Sequence, residues 1–271
     1  MDRNDWSNFD SEEMDRILQD VLEEALPATL GSLTDPALDG MLEQTKLVVG
    51  TIVGYKELMM TYACAMKEIR TKFEVLNTEF KIRHQRNPIS SISTRLKRTA
   101  SILDKLERRH LPLSLKSIET HIHDVAGIRV ICSYMDDIYL IADALLSRDD
   151  VTLISQKDYI ADPKPNGYRS LHLIVSIPVF FANQKNEVCV EVQIRTIAMD
   201  FWASLEHQLK YKQNIPNQQE IIAQLKDCAE VIHATDNKML GIRQQIEQAS
   251  DLPTEEEILF EKLSRLDITL E

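Results

Sequence analysis

Two groups of side chains in this sequence have types and spacing that can do chemistry. The first is basic. Lys97, Ser101, Lys105 and Arg108 follow one another at steps of four, four and three, which puts all four on one stripe if the segment is helical. Cations interleaved with a hydroxyl can cradle phosphate oxygens, and a solvated helix face has the same composition. The second group lies on a strand. Val188, Val190, Val192 and Ile194 alternate with Cys189, Glu191, Gln193 and Arg195, giving one apolar and one polar face. Three polar or charged side chains in a row on a strand face are costly to bury without partners. A solvated sheet face looks the same, but the loop beside this strand brings Lys164, Asn166, Tyr168 and His172 toward the same side. That convergence favours a binding surface.

The elements that must hold these groups follow from local pattern. Residues 162–167 (DPKPNG) are dense in turn formers: the prolines fix φ and Asn-Gly supplies a positive φ. From Leu171 the chain alternates, with Leu171, Leu173, Val175 and Ile177 on one face and Ser170, His172 and Ile174 on the other. Strands are expected at 125–132 and 151–160, with a helix over 136–147 between them. A helix is expected over 61–86, stopped by Asn87-Pro88, and another over 90–109. In that second helix Ile92, Leu96, Leu103 and Leu106 pack inward. The helix expected at 197–211 packs through Trp202, Leu205 and Leu209. The one at 217–248 carries a seam of alternating four and three steps through Ile221, Leu225, Cys228, Ile232, Thr235, Met239, Ile242 and Ile246. Such a seam packs on another helix, within the subunit or across an oligomer interface. Near the N-terminus, Met14, Ile17, Leu18, Val21, Leu22 and Ala25 recur at helical spacing, and Thr254-x-x-Glu257 is a capping box.

Composition narrows the function classes. The chain has 271 residues, 44% hydrophobic and 27% charged, with no apolar run of membrane-spanning length. The start, MDRNDWSNFD, lacks the basic and apolar regions of a signal peptide. Cys64, Cys132, Cys189 and Cys228 show no metal-ligand spacing and are expected as reduced, buried thiols of a cytosolic chain. The net charge of −12 argues against bulk nucleic-acid affinity. Its distribution says more: residues 1–40 hold eleven acids and two bases, whereas residues 67–116 hold thirteen bases and five acids. A basic segment in an acidic protein suits a local anion such as polyphosphate.

KPNGYRSLH followed by VEVQIRT resembles the synthetase domain of the RelA/SpoT family, the enzymes that make (p)ppGpp. The resemblance spans about residues 62–248 and matches the small alarmone synthetases in length. It implies one α/β (α+β) domain with a mixed sheet surrounded by helices, of nucleotidyltransferase-like type. The synthetase unit is expected at 61–215, between an acidic helical extension at 1–60 and C-terminal helices at 216–271. Arg95-x-Lys97-x3-Ser101-x3-Lys105 matches the family's ATP-binding helix. Arg95 is then the residue that stacks on adenine, and Lys97, Ser101, Lys105 and Arg108 hold phosphates. The run from His121 to Cys132 contains the DxxGIR pattern of a synthetase strand. Asp124 corresponds to the magnesium-binding aspartate and Arg129 to an arginine on the ATP phosphates. A phosphohydrolase centre at His121, His123 and Asp124 would need further His and Asp on nearby helices, and none is evident.

Pyrophosphoryl transfer needs a donor cradle, a divalent cation, a base and an acceptor pocket. The resemblance supplies each. Asp124 and Glu191 share Mg²⁺ from neighbouring strands, and Glu191 also takes the proton of the acceptor's 3′-hydroxyl. Tyr168 stacks on guanine, while Lys164, Asn166, His172 and Gln193 read the base and phosphates of GDP or GTP. Glu206 and His207 lie close behind. Arg169 stands where some long relatives carry Gln, which bears on the choice of GDP or GTP. The family implies a bacterial cytoplasmic homo-tetramer. Two other readings stand beside this one. A toxic relative pyrophosphorylates the 3′ end of tRNA, which the acidic C-terminal third disfavours and Arg83, Arg86, Arg98 and Arg109 leave open. The other is a non-catalytic nucleotide sensor, which the intact Asp124 and Glu191 count against.

Overall fold

A computed structural model of the chain describes residues 35–83, 86–210, 218–249, 258, 259 and 262. The expected N-terminal helix around Met14–Ala25 and the capping box at Thr254 lie outside the described residues. Helix α1 (Asp35–Arg83) is followed by β1 (Ile89–Leu96), α2 (Thr99–Arg108), α3 (Leu115–His121), β2 (Ala126–Cys132) and α4 (Met135–Leu146). Then come β3 (Thr152–Asp158), β4 (Leu171–Phe180), β5 (Lys185–Thr196), α5 (Ile197–Lys210) and α6 (Gln218–Ala249). The five strands form one mixed sheet in the order β1-β2-β5-β4-β3. The β2–β5 pair is parallel and the other three pairs are antiparallel. This is the expected α/β architecture, a mixed sheet with helices around it.

The sheet forms because its central strands alternate. Leu171, Leu173, Val175, Ile177 and Val179 of β4 are buried, as are Val188, Val190, Val192 and Ile194 of β5. Both sets share a core with Ile128 and Val130 of β2. Helix α1 lies across β1, β2, β4 and β5 on this apolar face, beside α4. It buries Leu58, Met59, Tyr62, Ala65, Met66, Ile69, Phe73 and Leu76 at steps of one to four residues. N-terminal to that stripe, Leu47 and Val53 are exposed. The helix is continuous from Asp35 to Arg83, so the boundary expected at residue 60 falls inside it. No described helix is long and apolar enough to cross a membrane.

Three expectations about elements are corrected. Residues 89–96 form a strand, not the first turns of a helix running to 109. β-Branched Ile89, Ile92 and Thr94 favour the extended chain, and Ile92, Thr94 and Leu96 alternate as the half-buried face. Within α2 the buried pair is Ile102 and Leu106, and Leu103 is exposed. In α5, Leu205 is exposed, and the buried face is Met199, Trp202, Ala203 and Glu206, at steps of three, one and three. On α6 the inward face is Leu225, Ala229, Ile232 and Asp236. Cys228, Thr235, Met239, Ile242 and Ile246 of the expected seam are exposed. Among the four cysteines only Cys132 is fully buried, and burial pushes its thiol up to about 12.

A charged cluster ties α6 back to the domain. Asp137, at the start of α4, is wholly buried and pairs with Arg86 just beyond α1. Arg243 of α6 pairs with Asp136 and lies 3.9 Å from Asp137, its guanidinium carbon 4.7 Å from the Tyr134 ring centre. The core of α1 carries the larger share of stability. Phe73→Ala is expected to cost about 3–5 kcal/mol in urea unfolding, because it opens a cavity at the sheet. Val53→Ala, on an exposed turn of the same helix, is expected to cost no more than about 0.5 kcal/mol.

Candidate active site

The polar face of the sheet is laid out in rungs by strand register. One rung runs Arg95 (β1), Gly127 (β2), Glu191 (β5) and Ile174 (β4). The next runs Ser93, Arg129, Gln193 and His172. Thus Arg95, Arg129, Glu191, Gln193 and His172, spread over 99 positions of sequence, meet on two adjacent rows. Gly127 leaves the middle of its rung open, and a Cβ there would stand 3.3 Å from the Arg95 carbonyl oxygen.

At one end of these rows is a carboxylate held by two lysines. Asp124 lies in the turn two residues before β2, so it is not itself on a strand. Its Oδ2 accepts from Lys97 Nζ at 3.0 Å and pairs with Lys105 Nζ at 2.7 Å. Lys97 sits between β1 and α2, where its backbone N–H donates to the Val125 carbonyl at 2.8 Å. Lys105 reaches the same oxygen from α2. Burial alone would raise the Asp124 pKa, but Lys105 and Lys97 override it, and the carboxyl is held below its ordinary value. Its other oxygen, Oδ1, is buried with no hydrogen-bond partner. Ser101 is half-buried on α2, one turn before Lys105. Arg108 is exposed and donates from Nε to the Asp104 carbonyl on its own helix, and Arg95 is exposed on β1.

At the other end, five side chains close a ring. Glu191 Oε1 lies 3.5 Å from His172 Nδ1, and His172 Nε2 lies 2.8 Å from the Tyr168 hydroxyl. Arg195 Nη2 donates to that hydroxyl and to Gln193 Oε1, both at 2.7 Å. Gln193 Nε2 donates back to Glu191 Oε2 at 3.0 Å. Burial would raise the Glu191 pKa, but His172 and Gln193 bring it below the ordinary value. The charge of Asp124 pushes weakly in the opposite direction. Two cations lie over the Tyr168 ring: the Lys164 ammonium at 4.7 Å and, from within the ring of side chains, the Arg195 guanidinium carbon at 5.2 Å. Asn166 donates to Glu206 Oε1 at 3.0 Å, which gives that buried glutamate a place behind the loop, whereas His207 is exposed.

The residues expected from sequence, apart from Arg129, therefore fall into three sets. Lys97, Lys105 and Asp124 are joined by ion pairs, and Glu191, Gln193, His172 and Tyr168 by the ring, with Lys164 and Asn166 on its loop. Among the described residues Arg95, Ser101 and Arg108 have no side-chain hydrogen bond or ion pair to either group. Sequence reasoning gave no role to Arg195 or Asp200. Arg195 is buried and completes the ring, and Asp200 Oδ1 takes Nη1 of both Arg195 (3.2 Å) and Arg129 (3.3 Å). An acid in the first turn of a helix suits the helix dipole by itself, so Asp200 carried no separate signal.

The donor set fits a hard cation. Among the described residues no three His, Cys, Asp or Glu gather as a ready-made cluster. Two carboxylates and a buried, unpartnered Asp124 oxygen suit Mg²⁺, which takes one or two carboxylates together with substrate phosphates.

Residues 94–216 match the family described as the region found in RelA/SpoT proteins. GTP pyrophosphokinase YwaC of Bacillus subtilis (strain 168) is 44% identical over 193 residues, 71% of this chain and 92% of that protein. The chain belongs to the RelA/SpoT family. Two crystal structures of small alarmone synthetase 1 from Bacillus subtilis support the fold of this RelA/SpoT member. The one bound to its product pppGpp has a TM-score of 0.65 at 36% identity, covering 72% of this chain and 98% of that one. The one bound to AMPCPP has a TM-score of 0.60 at 33% identity, with the same coverage.

The depressed pKa values of Asp124 and Glu191 fix the sign of a pH effect. A carboxylate whose pKa is lowered by folding contributes stability above its unfolded value, and loses it as pH falls through the folded value. The stability gap between wild type and Asp124→Asn is therefore expected to be widest near neutral pH. It should shrink below about pH 4, in urea unfolding at a series of pH values.

Proposed function

We propose that this chain is a GTP/GDP pyrophosphokinase. It moves the β,γ-pyrophosphate of ATP to the 3′-hydroxyl of GDP or GTP, making ppGpp or pppGpp and releasing AMP. The observation that carries this reading is the strand register. It sets a lysine-held carboxylate, Asp124, three residues before Gly127, the parallel partner of a ring-held carboxylate, Glu191. The first belongs to a basic cradle suited to a triphosphate, and the second to a polar ring with an aromatic member suited to a nucleoside.

On this reading Lys97, Lys105, Ser101, Arg108 and Arg129 hold the donor phosphates, and Arg95 packs on adenine. Lys97 and Lys105 share one Asp124 oxygen, so phosphate oxygens compete for the same ammonium groups as the donor arrives. Tyr168 packs on guanine. Lys164, on a flexible stem over that ring, turns to the acceptor phosphates, and Asn166, His172 and Gln193 fix the acceptor's orientation. Glu191 accepts the proton of the 3′-hydroxyl. The 3′-oxygen bonds to the β-phosphorus, the bond from that phosphorus to the oxygen it shares with the α-phosphorus breaks, and AMP carries away the electron pair. Held by Asp124 and Glu191, Mg²⁺ would supply neutralisation of the triphosphate charge.

The synthetase unit is assigned to 61–215, between extensions at 1–60 and 216–271, in a cytoplasmic protein. The exposed stripe on α6, with Met239, Ile242 and Ile246, suits self-association to a homo-oligomer, and a tetramer accords with the family resemblance. Met239→Glu with Ile242→Glu is expected to yield a smaller species in light scattering after size exclusion, and an unchanged mass would remove this interface.

The reaction is tested by following labelled ATP with Mg²⁺ and, separately, GDP, GTP and deacylated tRNA on thin-layer plates. Label is expected on GDP or GTP. Asp124→Ala and Glu191→Ala are each expected to lower the rate by about 100-fold or more. Label on tRNA alone would replace this acceptor with an RNA end. No transfer with nucleotide binding intact would leave a sensor.

A further inference from the structure

The loop that carries Tyr168 is fastened to a helix outside the sheet. Gly167 adopts φ +88° and lies against α6, where a Cβ on it would stand 2.5 Å from the Ala229 Cβ and 3.2 Å from the Lys226 Cα. That conformation and that approach both need glycine. On the other side of Tyr168, Arg169 is buried. Its Nη2 donates to both Glu230 carboxylate oxygens at 3.3 and 3.2 Å, and its Nη1 donates to the Gly167 carbonyl at 3.3 Å. Tyr168 is thus flanked by two residues that touch α6 at consecutive positions, Ala229 and Glu230. The same helix is locked to α5 by the Trp202 Nε1 donation to the Leu225 carbonyl at 2.9 Å, and to the end of β5 by Thr196 hydrogen-bonding Asp236.

We propose that Glu230 and Ala229 are positioning residues of the acceptor subsite, acting through Arg169 and Gly167 to set where Tyr168 presents its ring. The inference rests on the reading of this loop as the guanine-nucleotide site. It also changes the reading of Arg169. In the free protein its guanidinium is committed to α6, so its effect on the acceptor is exerted through the backbone of the loop. Glu230 itself is half-exposed, with 53% of its side chain accessible, so its truncation leaves the core intact.

The test compares the full chain with Glu230→Ala, Glu230→Gln and Ala229→Leu. GDP and AMPCPP affinities are measured by titration calorimetry, and KM and kcat with ATP and GDP. Glu230→Ala is expected to weaken GDP binding and raise the GDP KM about tenfold. AMPCPP affinity should hold within about twofold, although the melting temperature falls by a few degrees as the buried Arg169 guanidinium loses its partner. Glu230→Gln, which still accepts from Arg169, should recover part of the loss. Ala229→Leu, which drives into Gly167, should reproduce the selective defect from the other side. Wild-type GDP affinity in both Glu230→Ala and Ala229→Leu would overturn the proposal. So would GDP and AMPCPP affinities falling together with the melting temperature, which marks general damage. Failure of the enzymatic reading is seen separately, as a wild-type protein that binds GDP and AMPCPP but forms no product. The GDP affinities of the variants still decide the anchor in that case.

Discussion

The parallel pairing of β2 with β5 is the constraint on which the site depends. Gly127 lies opposite Glu191 and Arg129 opposite Gln193, although these partners are 64 residues apart in sequence. Parallel neighbours need a crossover, and here α4, β3 and β4 fill it. The pair therefore joins the lysine-held end of the site to the ring that contains Tyr168. Its register also fixes the faces. A slip of one residue would send Glu191, Gln193 and Arg195 into the apolar core and Val190, Val192 and Ile194 out of it. The burial of valines and isoleucines thus positions the polar groups, since the two sets alternate on one strand.

Charge compensation is the second constraint. Asp124, Glu191 and Arg195 are partly or wholly removed from water, and each has a named partner: two lysines, the His172–Gln193 pair, and Asp200 with Tyr168. A charge in such a place without its partners would be strongly destabilising. The ring from Glu191 through His172, Tyr168, Arg195 and Gln193 also restricts rotamers. Each side chain in it is held from two sides, so the ring is fixed in one arrangement by its own hydrogen bonds.

Strand alternation was the most legible signal in the sequence. The faces of β4 and β5, the turn at Gly167 and the strand at β2 all emerged from local pattern, because a sheet buried on one face writes a period of two into its residues. The segment at 90–109 failed for an instructive reason. The four-four-three spacing of Lys97, Ser101, Lys105 and Arg108 suggests one helix, yet only the last three share α2. Lys97 reaches Asp124 from a connector. The spacing imitated a single helix, while the β-branched run before it reported the true state. The seam on α6 is met in part. Leu225 and Ile232 face the domain and share their stripe with Ala229 and Asp236, small and polar residues that a search for hydrophobic periodicity skips, while Met239, Ile242 and Ile246 stay exposed. Arg195 was legible as a position on the polar face of β5, but its pairing with Asp200 was not, because the β5–α5 turn makes that pair.

Arg169 shows why adjacency in sequence is a poor guide to role. It follows Tyr168 directly, within the most informative motif of the chain, and that neighbourhood suggests a hand in acceptor choice. Its guanidinium instead lies buried against Glu230, 61 residues away on α6. A loop of turn formers can fix its own local dihedrals, but it cannot fix its orientation on the domain. That requires contacts made at some distance along the chain. Gly167 supplies one by letting the backbone touch α6, and Arg169 supplies the other by reaching across to it. Tyr168, between them, is left with its side chain on the opposite task, the ring with His172 and Arg195. The three consecutive residues divide anchoring from presentation, as they must if one short loop is to be both rigid and available.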